Sequence, residues 1–188
     1  MTSSSVTHPA ARVSTGRIAL WITLTTESVF FVTLLVAYAA LRDEADWSLP
    51  HTFTRLLIPA VNTTILLVSA FMAGSAVRAV RHNDQTGLRN SLLRALLLGL
   101  VFVAGQVFEF NHAGLSIDDQ AFGGVFFTLM GFHAVHVLAG VVFLALNLMR
   151  TNLGDFTSTH YEAVDLGVWF WYYVTLVWFV LFAALYLL

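Results

Sequence analysis

Residues 125–150 read VFFTLMGFHAVHVLAGVVFLALNLMR, an apolar run of helical length with His133 and His136 near its centre. About 20 apolar residues carry a helix across the hydrocarbon core of a bilayer. A polar side chain at that depth is costly, so it faces protein rather than lipid and tends to mark function. Working outward, residues 18–41, 56–80, 92–110, 122–149 and 166–188 are each long and apolar enough to span. The expected fold is all-α, a polytopic membrane bundle of five transmembrane helices.

Composition agrees with that reading. Of 188 residues, 58% are hydrophobic and 11% charged, against roughly 25% charged in a soluble domain. The net charge of −2 gives no handle for nucleic acid. Without cysteine the chain has no disulfide, no thiolate metal site and no cysteine nucleophile. The opening MTSSSVTHPAARVST is small and polar and lacks the apolar core of a signal peptide. Residues 1–17 are therefore expected to form a disordered cytoplasmic tail, and 18–188 one five-helix domain without internal repeats. The joints RDEADWSLPHTFTR, RHNDQTGLRNS, NHAGLSIDDQ and RTNLGDFTSTHYEAVD are too short to hold a further domain.

Every basic residue is arginine, and their placement sets an orientation. Arg12, Arg17, Arg78, Arg81, Arg89, Arg94 and Arg150 fall on one side of the spans, Arg42 and Arg55 on the other. The arginine-rich side is expected to be cytoplasmic, which puts the N-terminus inside and the C-terminus outside. Trp21, Tyr38 and Trp47 lie near span ends, where amphipathic rings favour the membrane interface.

Few polar residues lie inside the spans. Glu27 comes nine residues after Ile18, about 14 Å along a helix rising 1.5 Å per residue. A carboxyl so close to the midplane has to be neutral or find a partner, and Thr23, Thr26 and Ser28 are near enough in sequence to help. It either holds helices together as a neutral acid or titrates on a lipid or proton path. In the second span Asn62, Thr63, Thr64 and Ser69, among small residues, suit close helix packing and bonds across helices. Gln106 and Glu109 share one face of the third. His133 and His136, three apart, could turn to one partner, but two nitrogens make no metal site. Zinc or copper needs a third ligand, and His8, His51, His82, His112 and His160 all fall in the tail, joints or helix ends. The pair is left as structural glue, a lipid contact or a proton relay. In the last span Trp169, Trp171, Tyr172, Tyr173 and Trp178 suit the interface, lipid or another subunit, with Thr175 as the mid-span hydroxyl. No nucleophile with a base and no phosphate-cradling loop appears.

The blocks TESVFF around Glu27, AY, Trp47, VNTTILLVSA, GQVFEF and VFFTLMGFHAVHVLAG occur in this order. Together they resemble subunit III of the haem–copper terminal oxidases, cytochrome c oxidase subunit 3, in a short five-helix bacterial form. The resemblance implies a non-catalytic subunit with no cofactor of its own, in the bacterial cytoplasmic membrane. Haem and copper would lie in partner subunits I and II, and phospholipid in a cleft beside this chain. The complex would reduce oxygen in aerobic respiration and pump protons, this subunit supporting proton uptake and sustained turnover. By motif, Glu27 matches the family's buried glutamate, His133 and His136 its histidine pair near the lipid cleft, and Glu109 the glutamate of GQVFEF. One departure is WYYVT where the family has WHFVD, so that Tyr172 and Thr175 replace a histidine and an aspartate. Two alternatives stand beside this: the accessory subunit of a nitric oxide reductase, which is similar in fold, and a small proton-coupled transporter.

Overall fold

The computed structural model describes residues 14–44, 53–112 and 120–187, and the side chains of these except 42–44, 53–55, 110–112 and 120–123. Trp47, His8 and His51, with residues 1–13 of the expected tail, lie outside that description. Five long helices follow one another: α1 (Thr15–Glu44), α2 (Phe53–Arg81), α3 (Gln85–His112), α4 (Gln120–Asn152) and α5 (Glu162–Phe182), the last running into a π-helical turn, Ala183–Leu187. Each is long and apolar enough to cross a membrane.

α2 and α3 form the tightest pair; α4 packs on α3, and α5 closes the ring against α2 and α4. α1 lies outside this four-helix ring, chiefly against α4 and α5. The expected ends were too tight at the joint between α2 and α3. Residues 81–91 have the composition of a joint, whereas α3 already begins at Gln85. Asn83 takes the left-handed conformation (φ 57°) that asparagine tolerates and so ends α2. Asp84 then caps α3, its Oδ1 accepting the Gly87 N–H at 2.8 Å. Polarity marks where the membrane stops; the helix carries on beyond it.

Lipid tails are as apolar as leucine, so helices in a bilayer associate through close packing and hydrogen bonds. Both are concentrated on α5. Trp171 and Trp178, expected at the interface or against lipid or another subunit, are instead 0% and 1% exposed, because each ring N–H finds a hydroxyl on α2. Trp171 Nε1 donates to Ser69 Oγ at 3.1 Å, and Ser69 donates onward to the Ala95 carbonyl of α3 at 2.7 Å. Trp178 Nε1 donates to Thr63 Oγ1 at 2.9 Å, and Thr63 to the Pro59 carbonyl at 2.7 Å. The Trp171 ring is slotted edgewise between Gly99 of α3 and Gly140 of α4. Tyr38, also expected at the interface, is buried, while Trp21 is exposed and meets Trp169 at 5.6 Å.

Candidate functional site

The two polar spots singled out in the sequence, Glu27 on α1 and the histidine pair on α4, meet. His136 Nε2 lies 3.1 Å from Glu27 Oε2. The other ring nitrogen, Nδ1, lies 2.7 Å from the Phe132 carbonyl one turn back. A carbonyl only accepts, so Nδ1 carries a proton. That leaves one proton in the Nε2···Oε2 bond, carried by the carboxyl in a neutral pair or by the imidazole in an ion pair. Either form satisfies both groups. The Glu27 side chain is 33% exposed and that of His136 15%, so the pair lies at the protein surface where α1 crosses α4.

The hydroxyl residues around Glu27 are occupied otherwise. Thr26 donates to the Ile22 carbonyl at 3.0 Å. Ser28 donates to the Leu24 carbonyl at 2.7 Å, with Tyr173 Oη of α5 3.4 Å away. Such back-bonding lets a hydroxyl sit in a membrane helix without a foreign partner. Phe31 covers His136 edge-on, with ring centres 5.2 Å apart.

His133 does not share the partner of His136. It turns into the bundle, 1% exposed, and stacks on Trp178 at 5.3 Å with the planes 25° apart. Phe102 and Phe31 close the box edge-on at 6.4 and 6.5 Å. Neither of its ring nitrogens has a hydrogen-bond partner among the described residues. One helical face thus supplies two histidines with different tasks, one buried in an aromatic box and one paired at the surface.

Glu109 is half-buried at the opposite end of α3 from its Asp84 cap and accepts from Gln106 Nε2 at 3.3 Å. Asn62 Nδ2 donates to the Phe102 carbonyl of α3 at 3.2 Å. Thr175 is buried and donates to the Trp171 carbonyl at 2.9 Å. Tyr172 is 39% exposed, with its hydroxyl against Gly74 of α2. No group of three or more histidine and acidic side chains gathers in a metal-holding arrangement among the described residues.

Two features escaped the sequence reading. One is the encounter of Glu27 with His136, across 109 positions of chain. The other is Asp165 in the first turn of α5, which Arg17 of α1 meets at 2.8 Å and Arg81 of α2 approaches at 3.9 Å. Its signal was a carboxylate entering an apolar helix on the arginine-rich side, but nothing local names the arginine. Ser14 also bonds Glu162, so the start of α1 is tied to the start of α5 twice.

Residues 3–188 match the family model for cytochrome c oxidase subunit III. The chain is 35% identical over 179 residues to a probable cytochrome c oxidase subunit 3 of Nocardia farcinica, covering 93% of this chain and 87% of that one. The like-named Mycobacterium tuberculosis protein is 34% identical over 179 residues, with the same coverage. The cytochrome c oxidase subunit 3 of Synechocystis is 33% identical over 168 residues, covering 88% of this chain and 72% of that one.

Proposed function

This chain belongs to the cytochrome c oxidase subunit III family, and from that premise we propose how it serves a haem–copper respiratory oxidase. It is an accessory membrane subunit, seated beside subunits I and II, which carry the haem and copper. Its N-terminus is cytoplasmic and its C-terminus outside, in accord with its arginine distribution. It supports proton uptake and sustained turnover in subunit I and holds phospholipid in a cleft beside the Glu27–His136 pair. The observation that carries this reading is the pair itself, one shared proton at a helix crossing, partly open to whatever lies alongside α1. Glu27 and His136 share that proton, His136 orients the carboxyl, and Glu109 acts with Gln106 at the other end. Buried His133, with Asn62, Thr63 and Thr175, keeps the bundle rigid behind them. The relatives are named as oxidase subunits, and neither the nitric oxide reductase nor the transporter alternative is favoured.

The test is purification through a tag on this chain. Haem and copper are expected to co-purify at a fixed ratio, and oxygen consumption to belong to the complex. Glu27→Gln is expected to preserve assembly but shorten sustained turnover or slow proton uptake. Proton transport by the isolated chain in liposomes, with no haem-bearing partner recovered, would sink the proposal.

A further inference from the structure

A groove of about 380 Å³ runs between α2 and α5. Arg78, Arg81 and Asp165 lie at one end of it, and Phe71, Trp169 and Tyr172 line the other. Its chemistry is graded along the helices. Residues 71, 74, 78 and 81 follow at three and four positions and so share one face of α2, ending in the two arginines. From Phe71 to Arg81 is ten residues, about 15 Å at the helical rise. That is half the roughly 30 Å hydrocarbon core: the groove is one leaflet deep, charged at the membrane surface and apolar toward the midplane.

The charges at the polar end do not cancel. The Asp165 carboxylate is taken by Arg17 at 2.8 Å and stands 3.9 Å from Arg81. Arg78 bonds the Ser75 hydroxyl at 3.0 Å, lies over the face of Phe71 at 5.3 Å, and meets no carboxylate among the described residues. In the groove, two guanidiniums thus face a single carboxylate that Arg17 already holds from outside it. Guanidinium forks match a phosphodiester in shape and charge. Toward the midplane the lining is aromatic and open on its outer side. Phe71, Trp169 and Tyr172 are 60%, 46% and 39% exposed, and the Tyr172 hydroxyl lies where a Cβ on Gly74 would stand. An acyl chain fits there, and a soluble anion would leave that half empty.

The geometry points to a binding site for one anionic glycerophospholipid, its phosphodiester held by Arg78 and Arg81 and an acyl chain lying along Phe71, Trp169 and Tyr172. The site is on the α2–α5 face, apart from the Glu27–His136 crossing of α1 with α4, and it stands whether or not the oxidase proposal does.

The test is native mass spectrometry of the full chain in mild detergent, titrated with phosphatidylglycerol or phosphatidylcholine. The wild-type chain is expected to keep one phosphatidylglycerol that the Arg78→Gln, Arg81→Gln double variant loses. The charge-matched Arg89→Gln, Arg94→Gln variant is expected to keep it. Equal retention by the first variant, or equal loss from the second, overturns the site. Wild-type protein decides independently of any variant's folding. Preference for phosphatidylglycerol that survives millimolar glycerol 3-phosphate supports it. Equal uptake of phosphatidylcholine, or displacement by glycerol 3-phosphate, overturns it.

Discussion

A single methyl group on Gly140 should cost the bundle stability that the same methyl on Gly131 does not. A Cβ at Gly140 would stand 2.5 Å from Cε3 and 2.8 Å from Cζ3 of Trp171, where carbon atoms prefer 3.5–4.0 Å. The indole has nowhere to retreat. Its opposite edge, Cη2 and Cζ2, already lies 2.9 and 3.0 Å from where a Cβ on Gly99 would be. Its ring nitrogen is bonded to Ser69 at 3.1 Å. Overpacking of this kind costs about 1–3 kcal/mol. Against it, alanine improves on glycine in a helix by about 0.8–1.0 kcal/mol. Gly131, on the same helix, has no atom within 4 Å of its would-be Cβ, so Gly131→Ala collects the propensity gain alone. The difference between the two variants isolates the clash at about 1–3 kcal/mol. At about 2–4 °C per kcal/mol for a chain of this size, Gly140→Ala should melt roughly 2–12 °C below Gly131→Ala. Helical circular dichroism during heating, in one detergent, reads this directly. Equal melting temperatures, or a higher one for Gly140→Ala, would refute the account of Trp171 as a wedge in a closed slot.

Three further outcomes are expected. Thr63→Val removes the acceptor of the buried Trp178 N–H and should lose about 1–3 kcal/mol, the usual cost of an orphaned buried donor. Adding Trp178→Phe should recover part of it in a double-mutant cycle, and strict additivity would count against the bond. Arg17→Ala should destabilise more than Asp165→Asn, because the first strands a carboxylate that is 8% exposed and the second frees only half-exposed arginines. Chemical unfolding at low salt checks that order, and Asp165→Asn itself should cost about 1 kcal/mol or less. His136→Ala should leave Glu27 without its partner and impair prolonged turnover of the complex as Glu27→Gln does, and the double variant should be no worse than either. Additive losses would mean that the two residues act separately.

The helices were legible because twenty-residue apolar runs have one stable solution in lipid, a hydrogen-bonded helix. The candidate residues were legible for the same reason, since Glu27 and His136 stand out against an apolar background. Their pairing was not, because the period of α4 places His133 and His136 on one face without saying that α1 sets its carboxyl against only one of them. The tryptophans of α5 misled for a related reason. An indole is as well suited to a membrane interface as to a core with a hydroxyl in reach, and the deciding partners, Ser69 and Thr63, lie on another helix. Charged Asp165 looked like part of a polar joint until the fold brought Arg17 to it from 148 positions away.

That separation also has a clock attached. α1 is made before α2–α5, yet the partners of Glu27 and Arg17 come much later: His136 follows Glu27 by 109 positions, and Asp165 follows Arg17 by 148. At about 5–20 residues per second of synthesis, Glu27 spends on the order of 5–20 seconds in the bilayer before its imidazole has been made. Through that interval the carboxyl must stay protonated or be shielded by the insertion machinery, and α1 has no docking place of its own. α1 thus waits for α4 and α5 before it can find its seat. Nascent chains halted after α3 should yield a Glu27 variant bearing a reporter that is still mobile, and chains halted after α5 one that is fixed.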